Sequence, residues 1–189
     1  MRILVVGMGL IGGSICKSIK AATSHAVYGC DVQQAVLDDA IADGAIDGTG
    51  TMTDGTYDMI ILCLHQRIAI QMVQEALPKI PAGTILVDTC GLKGRMVRDL
   101  TYRCRKADVR YVGTHPMAGR EKNGYYASIP NLFQNANLIV TPVDGTDEAA
   151  LDTVKELADQ MGFGKIVTAT PMWHDNMIAY TSQLAHVVS

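Results

Sequence analysis

The sequence has no surplus of positive charge: 16 Lys and Arg stand against 19 Asp and Glu, for a formal net charge of -3. Without a basic field to gather phosphates, neither nucleic acid nor an anionic membrane surface is expected as a partner. A cysteine framework is missing as well. The five cysteines, at 16, 30, 63, 90 and 104, are odd in number, show no CxxC spacing and mostly lie in apolar runs. They read as buried free thiols rather than as disulfides or metal ligands, which makes a reducing cytoplasm the expected setting and leaves no metal site to assign. Long apolar runs are also lacking. Only Ile3-Leu4-Val5-Val6 separates Arg2 from Gly7, too short for a signal-peptide core, and no stretch approaches the roughly 18 to 20 residues of a membrane span. There is no internal repeat and no low-complexity tract. What remains, 48% hydrophobic and 19% charged over 189 residues, is the composition of one soluble α/β-sized domain with a short remainder.

Short β-branched runs alternate with amphipathic segments. Residues 3–6, 26–31, 59–64, 84–88, 109–112, 138–141 and 166–168 read as strands, and residues 10–21, 35–42, 69–77, 97–106 and 148–161 as helices. This rhythm predicts a doubly wound, mainly parallel sheet of the Rossmann kind over residues 1–168. Residues 113–133, rich in Gly, Pro, Asn and Ser, are too long for a simple connection and mark a functional loop. At Thr170-Pro171 a new helix begins with an N-cap and a first-turn proline. It meets no stop signal before Ser189, so residues 169–189 read as the start of a further helical unit.

The first strand runs directly into Gly7-Met8-Gly9-Leu10-Ile11-Gly12 and a helix. In that context the first glycine permits the tight turn, the second lets backbone approach a pyrophosphate, and the third allows close helix–strand packing. A tight βα turn without a ligand would look similar. Asp31 separates the two readings, because it closes the second strand where a carboxylate can accept hydrogen bonds from the adenosine ribose. That carboxylate would repel a 2′-phosphate, and Val32-Gln33-Gln34 offers no Arg to receive one. The expected cofactor is therefore NAD, held by Gly7, Gly9, Leu10, Ile11, Gly12 and Asp31, with Leu64 and Thr89 assigned to the same site.

Gly113-Thr114-His115-Pro116-Met117-Ala118-Gly119-Arg120-Glu121 follows a strand, so its polar groups are expected at the carboxyl edge of the sheet, where open α/β folds bind ligands. His115 is the candidate acid–base group, since alcohol oxidation needs a base for the hydroxyl proton and imidazole titrates near ~6.5. Glu121 is close enough along the loop to orient it. On the last helix, at ~100° per residue, Asp175, Ser182 and His186 form a polar stripe that would face either water or a cleft. His174 projects roughly 100° away and is expected at a cap or core edge.

The segments Gly7 to Ser14, His115 to Glu121, and His174-Asp175 leading to Thr181-Ser182-Gln183-Leu184-Ala185-His186 resemble the prephenate and arogenate dehydrogenases along the whole chain. That resemblance implies NAD-dependent oxidative decarboxylation of prephenate to 4-hydroxyphenylpyruvate, on the route to tyrosine. His115 would take the ring-hydroxyl proton, while Glu121, Asp175, Ser182 and His186 would line or organise the pocket. Gln183 is assigned to the substrate. It also implies a helical C-terminal domain that dimerises and supplies an arginine to the substrate, so a chain ending at residue 189 is expected to bind NAD and turn over poorly.

Two positions depart from the family pattern. Gly91, in Asp88-Thr89-Cys90-Gly91-Leu92-Lys93, replaces a usual active-site serine, and Arg120 stands where a small Ser or Thr is common. Arg120 is expected to assist a substrate carboxylate. A hydroxyacid or imine reductase of the 6-phosphogluconate-dehydrogenase-like group, or an NAD-binding module without catalysis, would share the same scaffold.

Overall fold

The computed structural model describes residues 1–55 and 57–180. Strands β1 (Arg2–Val6), β2 (Ala26–Cys30), β3 (Gly48–Thr49), β4 (Met59–Leu62), β5 (Ile85–Asp88), β6 (Arg110–Met117), β7 (Asn137–Val140) and β8 (Lys165–Thr168) form one sheet. Helices α1 (Leu10–Ala22), α2 (Gln34–Ala42), α3 (Gln66–Ala76), α4 (Gly94–Lys106), α5 (Glu148–Gln160) and α6 (Pro171–Ile178) connect or follow them. The spatial order is β3-β2-β1-β4-β5-β6-β7-β8, so the chain leaves β1 in opposite directions toward β2 and β4. That divergence opens a crevice at the carboxyl ends of these strands, the ligand position of doubly wound sheets.

Alternation within β1 assigns the two faces. Ile3 and Val5 pack with Ile15, Cys16 and Ile19 of α1, Val36 and Leu37 of α2, and Val154 and Leu157 of α5. Leu4 and Val6 pack with Ala69, Ile70 and Val73 of α3 and Met96, Leu100 and Cys104 of α4. Burial of each larger aliphatic side chain contributes about 1.5–3 kcal/mol, so both helix layers are held by the same central strands. The five cysteines are free thiols. Among the described residues no helix is long and apolar enough to cross a membrane.

Two elements differ from the sequence expectation. β3 has two residues, too few to show an alternation pattern. β6 extends to Met117, well past the expected end at residue 112, and so takes in most of the His115 segment. Its first part pairs in parallel with β5 up to Asp88↔Gly113, and Thr114 to Met117 then pair antiparallel with β7. Pro116 is tolerated because Thr141 N donates to Gly113 O at 2.9 Å. That bond fixes the parity of the ladder, and the nitrogen of residue 116 faces away from β7, beyond the end of β5.

Candidate functional site

One half of the site is made of backbone. Gly7 has φ +93, and a Cβ there would lie 2.5 Å from Cys63 O. A Cβ on Gly12 would lie 1.8 Å from Gly7 O, so strand, turn and helix pack closer than any other residue permits. Gly9 caps α1 with extended backbone, and no side chain caps the first turn, which holds no acidic residue. Nothing lies within 4 Å of a Cβ built on Gly9. Open space thus lies beside Gly9, at the positive dipole end of α1, where a pyrophosphate could approach.

Asp31 is already engaged by backbone. Its Oδ2 accepts from Met8 N at 2.7 Å and its Oδ1 from Gln33 N at 3.0 Å, so it also ties the glycine loop to the end of β2. A carboxylate has further lone pairs for ribose hydroxyls. Leu10 and Ile11 open α1 and are half-buried. Leu64 lies over Gly7, its Cδ2 2.8 Å from where a Cβ would stand. Thr89 donates its hydroxyl to Leu62 O at 3.1 Å, which places it beside the ends of β4 and β5.

The other half is made of side chains from three elements. His115, half-buried on β6, turns Nδ1 toward Nε2 of His174 on α6 at 2.9 Å. The two rings meet edge to face, 5.1 Å between centroids. His174 is 0% exposed, and its Nδ1 lies 2.8 Å from Asp175 Oδ1. Asp175 in turn accepts from Lys93 N at 2.7 Å and Gly94 N at 2.8 Å, capping α4 in place of a side chain of its own. The opposite nitrogen of His115, Nε2, faces Gly91, where a Cβ would stand 3.6 Å away.

The electrostatics follow from this packing. Burial first, then His174 and Lys93, push His115 down to about 4 against the opposing influence of Asp88 and Asp175. The imidazole is therefore neutral at neutral pH, the state a base requires. For Asp175, burial works against the charged form. The N–H of Lys93, the His174 ring and the N–H of Gly94 together outweigh it and hold the carboxyl below its ordinary value.

Beneath His115 lies a fully buried ion pair. Lys93 Nζ donates to Asp88 Oδ1 and to Thr114 O, and both charged side chains are 0% exposed. Tyr111 donates its hydroxyl to Asp88 Oδ2 at 2.6 Å, and Cys90 N donates to Asp88 Oδ1 at 2.9 Å. Burial and this carboxylate raise the Tyr111 hydroxyl well above its ordinary value and push the Cys90 thiol up to about 12. The network clamps the 89–93 segment onto β6, which is why Gly91 and His115 meet.

Several sequence expectations change. Glu121 is exposed and does not orient His115, whose ring partner is His174. Because β6 stays extended through Met117, no tight turn brings residue 121 back over residue 115. Of the two places expected for His174, cap or core edge, it takes the core side, and there it is the ring partner of His115. It shares the buried face of α6 with Ile178, and that i,i+4 spacing was the available signal. Asp175 caps α4 and holds His174. Arg120 is exposed and donates Nη1 to Ala127 O at 2.9 Å. Ser182, Gln183 and His186 lie outside the described residues.

Strand order, glycine turn and open helix terminus define a nucleotide-binding domain of the doubly wound class. Residues 15–168 match the family described as prephenate dehydrogenase, nucleotide-binding domain, and the chain belongs to that family. A cyclohexadienyl dehydrogenase of Zymomonas mobilis is 30% identical over 100% of this chain and 64% of its own length. The fold superposes with TM-score 0.91 and 29% identity on prephenate dehydrogenase from Aquifex aeolicus in complex with hydroxyphenyl propionate and NAD+, covering 100% of this chain and 66% of that one. Arogenate dehydrogenase of Synechocystis gives TM-score 0.87 at 27% identity, with 97% of this chain and 65% of that one covered. The chain thus spans about two thirds of these relatives.

Proposed function

We propose that this chain is the nucleotide-binding and base-supplying part of an NAD-dependent dehydrogenase that converts prephenate to 4-hydroxyphenylpyruvate. Arogenate is the alternative substrate. The observation that carries the reading is a neutral imidazole, His115, at the carboxyl edge of β5 and β6 with one ring nitrogen engaged by His174 and the other facing the open side of Gly91. Gly7, Gly9 and Gly12 would admit the pyrophosphate and Asp31 the ribose. Bound NAD supplies the hydride acceptor. His115 would take the ring-hydroxyl proton as hydride leaves the same carbon. The ring carboxylate would then depart as carbon dioxide, its bond electrons entering the ring, and the proton would return to the oxygen that becomes the phenol.

In the same reading Arg120 keeps its remaining guanidinium donors for a substrate carboxylate, and Ser182, Gln183 and His186 complete the pocket. The whole protein forms a homodimer in this reading, and the setting is cytoplasmic.

The test is turnover of the whole protein with prephenate and arogenate, each with NAD and NADP. A His115→Asn variant is expected to lose about 10²- to 10⁴-fold in kcat with unchanged NAD affinity. The base works only when unprotonated, so the acid limb of the rate should fall below the ordinary imidazole value. Equal activity of the variant would remove His115 from its role. NAD binding without reduction by either substrate would leave a binding module instead of an enzyme.

A further inference from the structure

We infer that His174 and Asp175 are positioning residues that lock His115 in one tautomer, with the proton on Nδ1 and the lone pair on Nε2. The inference rests on the reading of His115 as the base. It follows from the chain of hydrogen bonds from the α4 backbone to the reacting nitrogen.

The polarity starts at Asp175. Backbone N–H groups of Lys93 and Gly94 point at its two oxygens, and an ionised carboxylate can only accept. Its partner, His174 Nδ1, must therefore carry a proton. A neutral imidazole has one N–H and one lone pair, and in His174 the N–H is the one that Asp175 accepts. Nε2 of His174 is then an acceptor, and the 2.9 Å contact with His115 requires that Nδ1 of His115 donate. The lone pair of His115 is left on Nε2, facing Gly91.

Two glycines shape the arrangement. A Cβ at residue 94 would lie 2.9 Å from Asp175 Oδ2, so only glycine lets the carboxylate reach both backbone N–H groups. At residue 91, where the family commonly has serine, no hydroxyl is present to orient His115 from its Nε2 side. Among the described residues the only hydrogen bond made by the His115 ring is the one with His174. Orientation of the base thus falls to the His174 side. The three groups run in series through opposite ring nitrogens rather than converging on one point, and among the described residues no cluster of His, Cys, Asp or Glu is arranged to hold a metal.

The tautomer is read directly from long-range 1H–15N correlations of the histidine rings in the 15N-labelled 189-residue chain at neutral pH, without any need for turnover. His115 is expected as the neutral Nδ1–H form. In His174→Leu the lock is gone and His115 should move to the Nε2–H form that free neutral histidine favours. In His174→Gln, whose amide can accept from His115 and donate to Asp175, the Nδ1–H form should persist. Wild-type His115 in the Nε2–H form, or a His174→Leu variant that keeps Nδ1–H, would overturn the inference. Should His174→Leu fail to fold by thermal melting, the wild-type and His174→Gln spectra still decide it. In the whole protein, His174→Leu should lower kcat about 10- to 100-fold with the KM for NAD unchanged, and His174→Gln should recover most of it. A correct tautomer combined with an active His115→Asn variant would retain the lock and reject the proposed chemistry, so the two failures are distinguishable.

Discussion

The two halves of the site are built by different means. Around Gly7 and Gly12 the geometry comes from backbone with side chains removed, at the turn from β1 into α1 and against Cys63 just past β4. Around His115 it comes from side chains of β6 and α6 held by the start of α4, and the Asp175 contacts there join residues 82 and 81 positions apart. A backbone site fails when something is added. A side-chain site fails when something is taken away, because each buried polar group it contains depends on a partner for its satisfaction.

The largest effect is expected from Lys93→Met. The substitution leaves the Asp88 carboxylate buried with the Tyr111 hydroxyl and Cys90 N–H but no counter-charge, at a cost of about 3–5 kcal/mol. Urea unfolding measures it, and replacing Asp88 by Asn in the same chain should restore part of the loss. If Lys93→Met alone is neutral, the clamp between the 89–93 segment and β6 does not depend on the ion pair.

Next comes Gly12→Ala. A methyl 1.8 Å from Gly7 O must force the turn open, costing about 1–3 kcal/mol as overpacking does. Calorimetric titration should show NAD binding lost, while the His115 tautomer is unchanged because the α6–α4 contact is untouched. A Gly12→Ala variant that binds NAD as well as wild type would mean that the close approach of α1 to β1 is not what forms the nucleotide site.

The same contrast explains what could be read from the sequence. The strand run before Gly7, the glycine spacing and the carboxylate at Asp31 are local signals, and the helix and strand periodicities gave the layers and their order of appearance. His115 could be singled out as a base by its residue type and its place after a strand. Its partner could not be chosen, because Glu121 lay six positions on in sequence while His174 lay 59 away. Helical geometry turns His174 away from Asp175, Ser182 and His186, and a polar stripe of that kind fits water or a cleft equally well. The structure shows that the buried edge, with His174 and Ile178, is the one that meets His115. Asp88 and Lys93 could be seen as a motif, but nothing local said that both would be fully buried and facing each other.

The smallest effect is expected from Thr170→Ala, and it separates two ways in which α6 could hold His174. The Thr170 side chain accepts from Trp173 N at 3.2 Å ahead of Pro171, an N-cap whose loss typically costs about 1 kcal/mol. If the cap sets the position of His174, loosening the first turn of this eight-residue helix should blur the His115 tautomer as well as lower stability. The bonds from Lys93 and Gly94 to Asp175 grip α6 one residue beyond His174, from the backbone of another helix. They do not depend on the cap. Thermal or urea unfolding should therefore register the loss of about 1 kcal/mol while the ring 15N shifts of His115 stay at their wild-type positions. A shift toward Nε2–H in Thr170→Ala would transfer the positioning role from the α4 terminus to the α6 cap. It would also make the side-chain half of the site dependent on a single local turn.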